Sequence, residues 1–162
     1  MRDKLLKKIK FISKNKFRLL AKNTDKSKTF PKSVAKIFSK NEILYLLNYH
    51  KNFKKGIDPY TEFKFYLNAT KYCSNIKNYF LVSLGMVGST IMKFGTKDQI
   101  KNYLDKTSNK GLISSILITE PKAGSNINEI KTEYTKTKSN YIINGEKKWL
   151  TLGGISKLSL IL

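Results

Sequence analysis

Two short motifs decide how this chain is interpreted. The first is Ile118-Thr119-Glu120-Pro121-Lys122-Ala123-Gly124-Ser125, and the second is Asn144-Gly145-Glu146-Lys147-Lys148-Trp149-Leu150-Thr151-Leu152-Gly153-Gly154. The first motif ends an isoleucine-rich run over 112–119 that predicts a strand, so the motif is a loop at the end of that strand. Its hydroxyls and its backbone N–H groups can donate to a carbonyl-rich heterocycle or a pyrophosphate.

The second motif joins an aromatic side chain to a hydroxyl. Trp149 is the only tryptophan of the sequence, and its alternation with Thr151 predicts that both side chains lie on the same side of a strand. Asn144-Gly145 is typical of a type I′ turn and predicts a hairpin. A flat ring ligand with a hydrogen-bonding nitrogen suits such a pair. Taken alone, the first motif is better explained as an ordinary turn and the second as containing a core tryptophan.

Helical patterns precede these motifs. They predict helices over 43–53, 60–72, 76–94 and 97–104. Ser39 or Asn41 caps the first of these, and Thr96 with Gln99 forms a capping box for the last. The run over 76–94 is apolar nearly all round, so we expect it at the centre of the helical layer, with Gly85 and Gly88 permitting close approach of a neighbour. Phe63, Phe65, Tyr66 and Ala69 are core candidates.

The order of elements predicts an α+β protein: an N-terminal all-α helical domain followed by an incomplete antiparallel β-barrel domain. We divide the chain into a basic N-terminal segment (1–30), a helical domain (31–110) and a partial middle β domain (111–162). The pattern over 4–21 indicates an exposed or frayed basic helix; a membrane-surface helix or an organelle-targeting segment is an alternative.

Charge and composition restrict the function classes. The net charge is +21, with 32 basic and 11 acidic residues, but only Arg2 and Arg18 are arginine. Base readout and bidentate phosphate recognition favour arginine, so we interpret the charge as a solvated surface and expect no specific nucleic-acid partner. Cys73 is the only cysteine and His50 the only histidine, which excludes a disulfide framework and a two-histidine or cysteine-based metal site.

Targeting and membrane signals are weak. The longest apolar run, 79–94, is shorter than the ~20 residues a membrane-spanning helix needs and is interrupted by glycine, serine and threonine, so no transmembrane segment is expected. No secretory signal is evident, and we expect a cytoplasmic protein. His50 is interpreted as a residue on the flank of its helix without a catalytic role.

The two motifs, their order and their spacing resemble the acyl-CoA dehydrogenase family. Phe94-Gly95-Thr96-Lys97-Asp98-Gln99 extends the resemblance upstream, and the similar part covers about 84–162. The resemblance implies FAD bound between an N-terminal helical domain, a middle β-barrel and a C-terminal four-helix bundle. It also implies oxidation of an acyl thioester across Cα–Cβ, in which a carboxylate base removes the α proton and a hydride goes to flavin N5.

The resemblance assigns roles to individual residues. Ile116, Ile118 and Thr119 would contact the isoalloxazine, with Thr119 at its pyrimidine end. Ser125 would lie where flavin phosphate and substrate thioester meet. Trp149 would flank the ring and Thr151 would reach N5. The family's catalytic glutamate usually lies in the C-terminal bundle, so no catalytic residue is expected here, and Glu120 takes a structural role. Asn126 replaces the usual aspartate, and the family's glycine-rich loop is reduced around 51–57.

The functional expectation is a fragment of an FAD-dependent acyl-CoA dehydrogenase-like oxidoreductase, inactive alone because the chain ends at Leu162 inside the middle domain. Its expected partners are acyl-CoA or an acyl-carrier thioester, with a complementing C-terminal chain or a homo-oligomer. One alternative is a non-catalytic basic module that binds an acidic partner, a membrane surface or nucleic acid. Another is a minimal flavoprotein acting on carrier-protein thioesters.

Overall fold

A computed structural model describes residues 1–47 and 57–162; His50 and most of the reduced glycine loop lie outside these ranges. The helices are α1 (Arg2–Ile12), α2 (Arg18–Ser27), α3 (Lys40–Leu46), α4 (Pro59–Thr70), α5 (Ile76–Asn78), α6 (Ser89–Phe94) and α7 (Lys97–Lys110). Segments Ser13–Phe17 and Tyr79–Gly88 are π-helical, and Lys32–Lys36, Ile127–Glu129 and Gly153–Ile155 are 3-10 turns. The strands are β1 (Ser114–Leu117), β2 (Glu133–Lys136), β3 (Tyr141–Asn144) and β4 (Leu158–Ile161). The α+β prediction is therefore confirmed.

The N-terminal helices are part of the core. Leu5, Ile9 and Ile12 are buried along α1, which packs against α4, and Phe17 is fully buried in the π-helical segment that leads into α2. The expectation of an exposed or frayed helix is wrong. The spacing of these apolar residues forms a single stripe, and a stripe of that kind is buried when another helix is available to cover it.

Side-chain caps define the first residues of two helices in the helical layer. Ser39 accepts a hydrogen bond from the backbone N–H of Glu42, whose carboxylate in turn accepts from the N–H of Ser39. Thr96 and Gln99 form the same capping box at the start of α7, as predicted, and α7 then runs to Lys110. Such caps satisfy N–H groups that have no partner within the helix.

An aromatic cluster fills the centre of this layer. Phe80 meets Phe65 at a centroid distance of 5.0 Å and Phe38 at 5.6 Å, both in edge-to-face geometry. Tyr79 and Ala69 are buried beside them, whereas Phe63, a predicted core residue, is exposed. The helical run over 76–94 is thus central, as predicted.

Gly88 lies where that central run meets its neighbours. A Cβ at this position would lie 2.6 Å from the Tyr103 hydroxyl oxygen and would also clash with Leu47. We expect Gly88→Ala to lower the free energy of unfolding, because overpacking costs about 1–3 kcal/mol and the gain in helix propensity returns at most about 1 kcal/mol. Urea unfolding measures the change. Gly154→Ala, where a Cβ meets nothing within 4 Å, is the control; a Gly88→Ala variant more stable than the wild type would contradict the packing.

The strands form two separate pairs. β1 and β4 are parallel, with Ser114 opposite Leu158, whereas β2 and β3 are antiparallel, with Glu133 opposite Asn144. The antiparallel expectation therefore holds for β2–β3 and is wrong for β1–β4. The β2–β3 turn spans 137–140, where the Thr137 N–H donates to the carbonyl of Asn140, so the hairpin expected at Asn144-Gly145 is wrong as well.

Buried polar contacts fix β1 against the helical layer. The backbone N–H of Ser114 donates to Ser83 Oγ at 2.8 Å, and the Tyr103 hydroxyl donates to the carbonyl of Ser83 at 2.9 Å. The strand therefore has a defined position on the central helical run. Among residues 1–47 and 57–162, no helix is long and apolar enough to cross a membrane.

Candidate functional site

The loop that follows β1 is closed on itself. The Glu120 N–H donates to the Ala123 carbonyl at 2.9 Å and the Ala123 N–H donates to the Glu120 carbonyl at 3.3 Å. Ala123 is buried, whereas Ser125 is exposed, and a Cβ at Gly124 would meet nothing within 4 Å. The loop thus presents its Gly124-Ser125 end to an open space.

A buried ion pair holds this loop. The Lys147 ammonium lies 2.8 Å from Glu120 Oε1, and the two side chains are only 7% and 8% exposed. The Glu120 carboxylate also accepts hydrogen bonds from the backbone N–H groups of Lys131 and Thr132, each at 2.8 Å, and from the Thr132 hydroxyl. Such a pair is favourable only when further hydrogen bonds satisfy the remaining lone pairs, and here they do. The structural role expected for Glu120 follows from these contacts.

The same lysine brings the two sequence motifs into contact. Lys147 Nζ also donates to the carbonyl of Ile118 at 3.1 Å, and the backbone N–H of the following residue, Lys148, donates to the carbonyl of Thr119 at 2.8 Å. The start of the second motif is therefore hydrogen-bonded to the end of β1. This contact places Trp149 one residue beyond a backbone hydrogen bond to Thr119.

Trp149 adopts an unusual conformation. Its φ is 59°, in the left-handed region, and its side chain is 86% exposed. A bulky residue rarely adopts this region, and a residue held there is commonly found at a functional site. The next turn is closed by Gly153, whose N–H donates to the Leu150 carbonyl at 3.0 Å. Trp149 and Thr151 therefore lie in a turn, and their predicted position on one face of a strand is wrong, because a strand requires a negative φ.

The remaining predicted site residues lie on the two segments that this contact joins. Ile116, Ile118 and Thr119 are partly buried along and after β1, and Thr151 is exposed. In the part of the chain that the structure describes, the hydroxyls of Thr119, Ser125 and Thr151 make no hydrogen bond. They are available to a ligand, and together with an exposed indole they form a donor set that suits a flat heterocycle.

Lys147 lies within the second motif, but no role was predicted for it from the sequence. It was one of many lysines in the chain, and its partner Glu120 lies 27 positions earlier. The available signal was a lysine placed two residues before the only tryptophan. Asn126, which replaces the aspartate usual in the family, makes a local backbone contact by accepting from the Asn128 N–H at 3.2 Å.

The pKa of Glu120 links this site to acid stability. The Lys147 ammonium, with hydrogen bonds from Thr132 and Lys131, lowers the pKa of Glu120 to about 2 from its ordinary 4.5. A depressed pKa stabilises the fold above pH 4.5, and that stabilisation is lost as the pH falls through about 2. We therefore expect the melting temperature to fall more between these two pH values in the wild type than in Glu120→Gln. Circular-dichroism melts give the melting temperature of both proteins as a function of pH. Equal slopes of melting temperature against pH would contradict the ion pair.

Within residues 1–47 and 57–162, no group of three His, Cys, Asp or Glu side chains is arranged to hold a metal ion. A cleft of ≈510 Å³ lies beside the second motif and is lined in part by Leu150, Leu152 and Gly153. It borders the site on the side of α2 and the segment that follows it.

Known proteins are similar in sequence to part of this chain. Residues 115–162 match the acyl-CoA dehydrogenase middle domain. A 3-sulfinopropanoyl-CoA desulfinase of Advenella mimigardefordensis is 46% identical over 79 residues, which are 49% of this chain and 19% of that protein. A probable medium-chain specific acyl-CoA dehydrogenase 2, mitochondrial, of Caenorhabditis briggsae is 43% identical over 68 residues, 42% of this chain and 17% of that protein.

Solved structures share the fold at low identity. A glutaryl-CoA dehydrogenase from Mycobacterium smegmatis in complex with FADH2 superposes with a TM-score of 0.79 at 21% identity, over 98% of this chain and 41% of that one. Butyryl-CoA dehydrogenase from Megasphaera elsdenii gives 0.79 at 19% identity, over 99% and 43%. The chain thus spans about a fifth of its curated relatives and about two fifths of these solved chains. Its two motifs, its middle-domain match over 115–162 and its fold make this chain similar to the acyl-CoA dehydrogenase family.

Proposed function

We propose that this chain forms one wall of an FAD site in an acyl-CoA dehydrogenase-like oxidoreductase that acts on acyl thioesters. The observation that carries the proposal is the direct contact between the two motifs, through the Lys148 N–H to the Thr119 carbonyl at 2.8 Å. It joins one hydroxyl-bearing loop to an exposed indole. The fold and the middle-domain match support the same conclusion.

The residues present suit a flavin. Ile116 and Ile118 would give the ring an apolar edge, Trp149 would cover one side, and Thr119 and Thr151 would donate to its polar atoms. Ser125, on the open end of the loop, would serve the flavin phosphate and the substrate thioester. Bound FAD would supply the hydride acceptor, and the protein's part would be orientation and electrostatics.

The proton chemistry calls for another carboxylate. Glu120 is held ionised by Lys147, with its pKa lowered to about 2, and a base works best with a pKa near the operating pH. We therefore propose that the 162-residue polypeptide has no dehydrogenase activity alone. A complementing chain or a homo-oligomer would supply the base and hold the carrier of the thioester, either CoA or a protein.

The proposed wall of the FAD site is called the flavin wall and consists of Ile116, Ile118, Thr119, Ser125, Trp149 and Thr151. Riboflavin binding tests it, because riboflavin carries the ring but no phosphate and is insensitive to the basic surface. We expect saturable riboflavin binding that Trp149→Ala weakens about ten-fold, since stacking on an aromatic ring is worth about 1–3 kcal/mol. Fluorescence quenching reports the affinity. Phe94→Ala is the matched control, because Phe94 is similarly exposed but lies at the end of α6. Equal effects of the two substitutions would overturn the proposal.

Activity is tested separately. The purified chain with added FAD is mixed with a panel of acyl-CoAs and an electron-acceptor dye, and dye reduction is followed. We expect no turnover above the protein-free rate. Turnover at a typical enzymatic rate of about 1 per second or more would contradict the proposed need for a second carboxylate.

A further inference from the structure

Five lysines converge on one cleft at the amino end of β1. Lys32 and Lys36 come from a 3-10 turn, Lys106 and Lys110 from the last turns of α7, and Lys157 immediately precedes β4. The cleft measures ≈460 Å³, within the range of small-molecule sites, and Leu112, Ile113 and Ile155 form its apolar lining. No acidic side chain belongs to the lining, within the ranges that the structure describes.

The backbone segments that carry these lysines are fixed. Ala35 is buried, and its carbonyl accepts a hydrogen bond from the Tyr79 hydroxyl at 3.4 Å. Gly111 ends α7 with a φ of 63°, and a Cβ there would lie 2.7 Å from Lys36 Cγ. The two lysine-bearing segments therefore pack directly on each other. The Lys157 N–H donates to the Ile113 carbonyl at 2.9 Å, which places the fifth lysine at the same end of β1.

The positive charge of the cleft is not compensated by the nearby carboxylates. Ion pairs in residues 1–47 and 57–162 involve Arg2, Lys8, Lys40 and Lys147, and none involves the five cleft lysines. Asp105, the acidic residue of α7 closest to the cleft lysines in sequence, pairs with Lys40 at 3.1 Å. The carbonyl end of α7 offers only partial negative charge. A bound anion would relieve the mutual repulsion of the ammonium groups.

We propose that this cleft binds a small organic polyphosphate of the nucleotide class. Lysines act as point charges toward phosphate oxygens, and several of them suit a ligand with more than one phosphate. The apolar lining gives the organic part of the ligand a surface to bury. The cleft adjoins the amino end of β1, whereas Thr119 follows its carboxyl end, so the site is independent of the proposed flavin wall.

Calorimetric titration at fixed ionic strength tests the ligand class, with ADP, inorganic pyrophosphate and adenosine as probes. We expect saturable binding of ADP, binding of pyrophosphate weaker by about ten-fold because it lacks an apolar part, and no detectable binding of adenosine. Adenosine binding as tightly as ADP would overturn the phosphate assignment. Pyrophosphate binding as tightly as ADP would overturn the organic part.

A charge-matched pair of variants tests the location. The triple variant Lys36→Gln, Lys110→Gln, Lys157→Gln is compared with Lys14→Gln, Lys16→Gln, Lys138→Gln, which removes the same charge from exposed positions outside the cleft. We expect the cleft variant to lose at least about ten-fold in ADP affinity and the control less than about two-fold. Equal losses of ADP affinity in the two triple variants would show that ADP binds through general surface charge, and would overturn the proposal. Equal displacement of ADP from both variants by a single-stranded oligonucleotide would lead to the same conclusion.

Amide NMR keeps the test valid if the cleft variant folds poorly. ADP added to the wild-type chain is expected to shift the amide signals of Gly111, Leu112 and Ile113 in a saturable manner. Shifts confined to the loop around Thr119 and Trp149 would contradict the cleft site and would instead place ADP at the flavin wall.

Discussion

Glu120→Gln is expected to lower the melting temperature by more than about 5 °C, a large change for a chain of this size. The substitution removes the carboxylate that faces the buried Lys147 ammonium at 2.8 Å. It also leaves two backbone N–H groups, those of Lys131 and Thr132, competing for a single amide oxygen. Because the same network holds the two motifs together, riboflavin binding should be lost in parallel. Thermal melts and fluorescence titration measure both effects.

Matched variants separate the ion pair from a simple change in net charge. Glu146→Gln changes the charge equally at the exposed residue beside Lys147 and should leave both readouts within error of the wild type. The double variant Glu120→Gln, Lys147→Met removes both charged groups and should recover part of the lost stability, since the uncompensated ammonium is no longer buried. A Glu120→Gln variant as stable as Glu146→Gln would show that the ion pair does not hold the loop.

Phe80→Ala is expected to cost about 3–5 kcal/mol in the free energy of unfolding. Phe80 is 1% exposed and contacts Phe65 and Phe38 edge to face, so its removal leaves a cavity at the centre of the helical layer. Leu81→Ala is the control, because this neighbour in the same π-helical segment is 44% exposed and should cost far less. Urea unfolding gives both values, and similar losses would mean that the aromatic cluster is not the core.

Local signals in the sequence predicted the helical layer well. The capping box at Thr96 was predicted because the capping side chain and its partner Gln99 lie three residues apart, and Ser39 was one of two predicted caps for the helix that follows it. The close approach at Gly88 was also foreseen from an apolar helix containing glycine. The N-terminal helix was misjudged, because the sequence shows its apolar stripe but not the surface of α4 that covers it.

The β region shows where local signals mislead. Asn144-Gly145 predicts a turn, yet glycine is required at 145 because Thr132 approaches it: a Cβ there would lie 2.9 Å from Thr132 Cα. The parallel pairing of Ser114 with Leu158 joins residues more than forty positions apart, and no periodicity encodes it. The resemblance predicted that both motifs would contact one ligand, whereas their direct contact, the turn at Trp149 and the role of Lys147 required the structure.

The most direct test of the flavin wall is a titration of the ¹⁵N-labelled chain with riboflavin, followed by amide and indole NMR signals. We expect saturable shifts at Thr119, Ser125, Thr151 and the Trp149 indole, and none at Gly111 in the lysine cleft. Saturable shifts only elsewhere, or none up to the solubility limit of riboflavin, would contradict the account that these motifs form a flavin site.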